Sequence, residues 1–148
     1  MTPLQLAMAQ MRMEGVVIDT NVFVAAGFNA RSASERILAA IRARRFQLVW
    51  NEPTRRETEL ILRRIPLLGW DKFGDLFWPE GEFTGHVDPH DFGFIEDPDD
   101  RKFAALSAAA KVPLVTNDHH LLTHRNRIGL NVLTPGAFLA RAEEKARP

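Results

Sequence analysis

The chain has 148 residues, 45% of them hydrophobic, which is enough for one compact domain with a real core and too few for two ordinary ones. Its 19 Lys and Arg balance 19 Asp and Glu, so the molecule as a whole exerts no long-range pull on nucleic acid or an anionic membrane, and any nucleic-acid contact has to be local. Cysteine is absent, which excludes disulfides, thiolate metal sites and thiol nucleophiles and restricts any metal to oxygen or imidazole ligands. No apolar run reaches the roughly 18 to 20 residues of a bilayer span, and the first residues lack the basic start and long apolar stretch of a secretion signal. A soluble, cytoplasmic protein without a membrane partner is expected.

Short apolar runs alternate with amphipathic stretches of helical length, the pattern of an α/β domain in which helices cover both faces of a parallel sheet. Residues 1–14 precede the first run and form an N-terminal extension, flexible or helical. The first strand is VVID, Val16 to Asp19. Ser32 and Glu35 then give the S-x-x-E capping signature before Ile37, Leu38 and Ile41, predicting a helix to about Arg44. FQLVW, Phe46 to Trp50, is the second strand. Asn51 caps the next helix, with Pro53 in its first turn and Leu60, Ile61 and Ile65 facing inward. Pro66 ends it. Leu67 to Trp78 has the spacing of a short helix, broken by Pro79, Glu80 and Gly81. FTGHV, Phe83 to Val87, is a further candidate strand interrupted by Gly85. The segment DPDDRKFAALSAAAK predicts a helix starting near Asp99 or Asp100, and PLVT, Pro113 to Thr116, and NVLT, Asn131 to Thr134, are the last strands. PGAFLARAEEK is a closing helix from Pro135, and residues 141–148 form a charged tail.

Asp19 ends the first strand and Asp118 lies just beyond PLVTN. In an open parallel sheet these ends share one edge, where ligand crevices form. Asp100, with Asp97 beside it, sits at the mouth of the helix leading into the Asp118 strand, and Glu57 lies one to two turns into the helix after FQLVW. Carboxylates gathered at one edge repel one another, and the arrangement makes sense when a cation neutralises it. Oxygen-only ligands favour Mg²⁺ or Mn²⁺, and two such ions roughly 3.5 to 4 Å apart would suit phosphodiester hydrolysis. Each residue also has a plainer role: Asp100 as a helix cap, Asp97 as a turn residue, Glu57 as a solvated charge.

The words VVIDTN (Val16 to Asn21), RRETELILRR (Arg55 to Arg64) and EDPDDRKFAALSAAAKVPLVTNDHHLL (Glu96 to Leu122) resemble the PIN-domain family, including its VapC-like toxin ribonucleases, over roughly Val16 to Leu139. The resemblance implies a three-layer α/β/α fold with a central parallel sheet, occupying residues 15–140. It also implies Mg²⁺- or Mn²⁺-dependent cleavage of RNA, commonly as the toxin of a type II toxin–antitoxin pair, with an antitoxin protein and a second copy of the chain as partners. The family's metal-binding, catalytic acids fall on Asp19, Glu57, Asp100 and Asp118. Asn21 and Thr116 match polar positions that orient the acids, Asn117 stands where glycine is common, and Arg101 replaces a further acid for which Asp97 is a weak substitute. The alternative is a catalytically silent module of the same fold that binds RNA or protein. A receiver domain would need an acidic pair after the first strand and a lysine after the last, which NVLTPGAF lacks. A haloacid-dehalogenase-type phosphatase would need Asp where Asn21 stands.

Other residues carry weaker signals. His86 and His90 have i, i+4 spacing, but Asp88 and Pro89 argue against a helix there. His119, His120 and His124 follow Asp118 and are surface histidines unless they touch phosphate. Arginines at 42, 44, 45, 55, 56, 63 and 64 could form a basic rim for RNA or simply solvate helix faces. Trp50, Trp70 and Trp78 fit core or interface positions better than base stacking.

Overall fold

In the computed structural model, which describes residues 2–5 and 13–147, Val16, Val17 and Ile18 are each at most 3% exposed. A β-branched run buried on both faces fits a strand covered by helices on either side. This strand, β1 (Glu14–Ile18), is joined by β2 (Phe46–Leu48), β3 (Leu114–Val115) and β4 (Val132–Leu133) in one four-stranded sheet. The order is β2-β1-β3-β4 and every pairing is parallel, with Val16 opposite Leu48, Val17 opposite Leu114 and Leu114 opposite Val132.

Alternation along β1 separates the core into two layers. Val16 and Ile18 point to α1 (Thr20–Phe28), α2 (Ala33–Arg42), α3 (Glu52–Arg63) and α6 (Pro135–Lys145), where they meet Val22, Phe23, Ile37, Leu38, Leu62 and Phe138. Val17 points the other way, to Phe103, Ala104 and Leu106 of α4 (Pro98–Ala110) and Leu121 of α5 (His119–Leu122). The result is the three-layer α/β/α fold around a parallel sheet. No helix among the described residues is long and apolar enough to cross a membrane.

The predicted caps form as the sequence reads. Ser32 accepts from the Glu35 amide at 3.1 Å, and Asn51 and Thr54 exchange backbone-to-side-chain bonds at 3.1 Å in each direction. One helix was not expected and three local expectations are overturned. The helix α1, directly after Asp19, has no amphipathic stripe to announce it, because beside the buried face of Val22, Phe23 and Ala26 the outward positions of TNVFVAAGF, Val24, Ala25 and Phe28, are apolar too. The inward row of α3 is Thr54, Thr58 and Leu62 at i, i+4 and i+8, while Leu60 is 46% exposed and Ile61 and Ile65 are half-buried. Leu67 to Trp78 folds as turns with a single 3₁₀ turn, Gly74–Leu76, since Gly69 takes φ +70° and ends regular helix there. Phe83 to Val87 is not a strand. The chain touches the sheet edge only at an isolated bridge between Trp50 and Glu82 and leaves it after Phe83, whose ring lies over Gly85.

Both expected boundaries of the domain carry structure. Glu14, assigned by the sequence to the extension, opens β1, and Arg141, assigned to the tail, reaches back to it at 2.5 Å from within α6. Thr2 and Gln5 exchange hydrogen bonds of 2.8 and 3.1 Å. Residues 6–12, half of the expected flexible or helical extension, lie outside the described residues.

Candidate metal centre

From β1 the chain crosses to β2 on one side and, later, to β3 on the other, so the C-terminal ends of β1 and β3 flank a topological switch point. Asp19 is the residue after β1, and Asp118 follows β3 at the start of α5. Asp100 enters from the first turn of α4, the helix that feeds β3, and Asp97 is the N-cap of that helix. Sequence positions 19, 97, 100 and 118 thus arrive at one edge because the parallel topology stacks strand ends there.

Capping explains some of these carboxylates and not others. Asp97 Oδ1 accepts from the Asp99 amide and Asp118 Oδ1 from the His120 amide, each at 2.9 Å, leaving one oxygen of each carboxylate outside the cap bond. Asp19 makes no side-chain cap bond although it stands at the N-cap of α1. Asp100 is inside its helix, and the capping place expected for it belongs to Asp97.

Thr116 organises the group. Its hydroxyl donates to Asp19 Oδ2 at 2.8 Å and accepts from Asn21 Nδ2 at 3.3 Å and from the Asp118 amide at 3.0 Å, using its one proton and both lone pairs. Asn21 Oδ1 in turn accepts from the Asn117 amide at 3.1 Å, and Asn117 Nδ2 donates to Ser34 Oγ at 3.1 Å. The loop between β3 and Asp118 is therefore tied to the start of α1. Thr20 and Thr58, buried hydroxyls 2.9 Å apart, tie α1 to α3; neither was singled out in the sequence, because a threonine in a helix announces nothing by itself.

The electrostatics are those of carboxylates crowded together. Burial pushes the Asp19 carboxyl up to about 6, against the lowering effect of the Thr116 and Thr20 hydrogen bonds, and the charges of Asp118 and Asp97 add to the rise. Asp100 is pushed up to about 7, first by burial, then by the charges of Asp19, Asp97 and Asp118, and then by a hydrogen bond with Asp118. Among the described residues none of Asp19, Asp97, Asp100 and Asp118 forms an ion pair. Half-buried carboxylates without cations are costly, and an oxygen-only set of this kind suits Mg²⁺ or Mn²⁺. Among the described residues no three His, Asp or Glu side chains enclose a single point as they stand, so water would have to complete the coordination, as it commonly does for Mg²⁺.

Two cavities open on this edge and share Asp97 and Asp100. One, of about 330 Å³, is lined by Asp19, Asn21, Glu57 and Phe103. The other, of about 270 Å³, is lined by Asp118, His120, Thr123 and His124. Glu57 stands on the wall of the first, but its Oε2 is 3.3 Å from Lys102 Nζ. His120 and His124 are thus beside the acids, with His124 packed edge-on against Phe94 at 5.1 Å. His90 is exposed and lies beside Asp88. The proposed basic rim is largely spent: Arg42, Arg44, Arg55, Arg56 and Arg63 all pair with carboxylates. Trp50 is buried and donates to the Trp78 carbonyl at 2.8 Å, while Trp78 lies under the Arg44 guanidinium.

Comparison with known families places a PIN-domain model on residues 15–120. No curated protein was found to match the chain.

Proposed function

The chain belongs to the PIN-domain family, whose members are generally nucleases that use divalent metals, and on that premise we propose that it is a metal-dependent endoribonuclease acting through the acidic edge of its sheet. The observation that supports this most is the set of unpaired carboxylates, Asp19, Asp100 and Asp118 with Asp97 at their rim, two of them held well above the ordinary carboxylate range by burial and mutual repulsion. These residues would hold Mg²⁺ or Mn²⁺, with Glu57 facing them across the groove. A divalent ion bound there supplies acidified water and a positive field for the phosphodiester.

The chain's own side chains prepare that chemistry. Thr116 fixes Asp19 Oδ2 and so sets which oxygen of Asp19 faces the groove. Asn21 and Asn117 hold the Asp118 loop in register with β1. Burial and the neighbouring carboxylates push the Asp100 carboxyl upward, so positive charge entering the groove would favour its ionised form. With a neutral molecule and a spent arginine rim, RNA recognition falls to the groove itself, which favours single strands whose backbone can enter.

The same reading makes the protein a cytoplasmic toxin of a type II pair. Phe28 and Leu67, 59% and 83% exposed, are apolar surface that a protein partner would cover; loss of cleavage on adding the product of a neighbouring small reading frame tests that role. The nuclease assignment is tested with purified protein and a single-stranded RNA. Cleavage is expected in Mg²⁺ or Mn²⁺ and should stop in chelator. Undiminished cleavage after exhaustive metal removal refutes the mechanism, and no cleavage in any divalent metal favours the silent binding module.

A further inference from the structure

The cations left over after pairing collect on one side of the molecule. Arg42, Arg44, Arg55, Arg56 and Arg63, on and around α2 and α3, are each bound to a carboxylate. Past Asp118 the balance reverses: residues 119–142 contain no Asp or Glu, and His119, His120, His124, Arg125 and Arg127 all fall at the start of that stretch. Arg125 and Arg127 are exposed, and among the described residues neither forms an ion pair. Part of this strip is held in place. The His124 ring meets Phe94 edge-on at 5.1 Å, and the Arg127 guanidinium lies over the same ring, 4.1 Å from its centroid. Phe94 is fixed in turn by Arg101, which donates to the carbonyls on either side of it, Gly93 at 3.3 Å and Ile95 at 2.8 Å. A guanidinium resting on a ring keeps its charge and its N–H edge, and it has less freedom left to lose when an anion arrives. His120 and His124 also line the cavity of about 270 Å³ that contains Asp118, so the strip starts at the groove and runs outward from it.

We propose that a single-stranded RNA runs from the groove along this strip, past α5, with its phosphates on Arg125 and Arg127, and does not run across α3. This rests on the ribonuclease reading above and adds to it the path of the strand. A polyanion binds by exchanging its condensed counter-ions for protein cations. An arginine already held by a carboxylate has that pair to give up first, whereas Arg125 and Arg127 have none. Glu96 and Asp97, elsewhere in the lining of the same cavity, repel a phosphate and leave the α5 side as the favourable one. Contacts of this kind fix the position of a strand without reading its bases, so the strip sets where RNA lies and not which sequence is chosen.

The test is the affinity of the full chain for a fluorescent single-stranded RNA, read by anisotropy in chelator over a range of salt, with cleavage of the same RNA scored in Mn²⁺. Wild type should bind in chelator, because the strip needs no metal. The double variant Arg125→Gln, Arg127→Gln should bind about tenfold more weakly at low salt, and its slope of log affinity against log salt should be shallower by about 1.4, the share of two phosphates on a single strand. Arg42→Gln with Arg63→Gln changes the net charge equally and should stay within about twofold of wild type. If the first double variant fails to fold, Arg125→Gln alone, whose side chain makes no ion pair among the described residues, should flatten the slope by about 0.7. Equal losses in the two double variants, or an unchanged slope in the first, overturn the proposed path. Displacement of the RNA by polyglutamate of the same charge at the same concentration makes the strip a site for acidic protein segments and overturns its assignment to RNA. Wild type that cleaves RNA in Mn²⁺ without binding it in chelator overturns this proposal alone, whereas wild type that neither binds nor cleaves RNA overturns the ribonuclease reading with it.

Discussion

Thr116 carries more of the centre than its size suggests, since one hydroxyl serves Asp19, Asn21 and the Asp118 amide at once. Valine has nearly the same shape and no hydroxyl, so Thr116→Val leaves these groups short of a partner in a buried place. It should cost about 1–3 kcal/mol in denaturant unfolding and raise the Asp19 carboxyl still further, because the Thr116 bond is the strongest of the interactions holding it down. Thr116→Ser should restore most of both. An unchanged stability in Thr116→Val would mean that water replaces the hydroxyl and that the network is not held by this residue. At this scale the sequence was informative where chemistry and position coincide. Asp19 stands out as a charge directly after Val16-Val17-Ile18, and Asp118 as an acid just past a strand end. Lys102 and Thr58 were illegible, because their meaning lies in partners 45 and 38 residues away, Glu57 and Thr20, which only the packing of α4 and α1 on α3 brings near.

Elements were legible where their pattern is amphipathic or capped and illegible where burial is uniform. Asn51, Pro53 and Thr54 start α3 by local bonding that the sequence spells out. By contrast α1 is apolar on several sides, so no 3.6-residue stripe exists to be found, and α3 presents two threonines inward where leucines were expected. The segment after Trp78 was read as leading to a fifth strand, yet its path is set by a close backbone approach. A Cβ on Gly81 would lie 2.1 Å from the Leu48 carbonyl oxygen, which is backbone of β2 and cannot swing aside. Gly81→Ala should therefore destabilise the fold by about 2–3 kcal/mol. Gly136→Ala, in the first turn of α6 with nothing within 4 Å of its added Cβ, should be neutral or stabilising by up to about 1 kcal/mol. Equal effects in a melting comparison would show that the Gly81 contact relaxes.

For the whole molecule, stability and function oppose each other at the same carboxylates. Asp19 and Asp100 titrate near 6 and 7 in the folded chain against an ordinary 3.8. A carboxyl whose folded pKa is raised is tolerated while protonated, so its stability contribution is complete below about pH 4 and is lost as pH rises through 6 and 7. Metal-free protein should accordingly lose stability between pH 4 and pH 8, while the arginine-paired Glu52, Glu59 and Glu80, which are lowered, weaken it only as pH falls below their range. A metal-free stability that rises over pH 5 to 8 would contradict this. The most direct measurement of the central claim, that these acids are gathered for a cation, is the unfolding free energy of wild type and Asp100→Asn at pH 8, in chelator and in Mn²⁺. In chelator the mutant should equal or exceed wild type, because it lacks one repelling charge. In Mn²⁺ the order should reverse, since wild type gains RT ln(1 + [L]/Kd) at higher affinity than the mutant. An Asp100→Asn protein that is strongly destabilised without metal and gains as much from Mn²⁺ as wild type would make Asp100 a structural residue and contradict the metal centre.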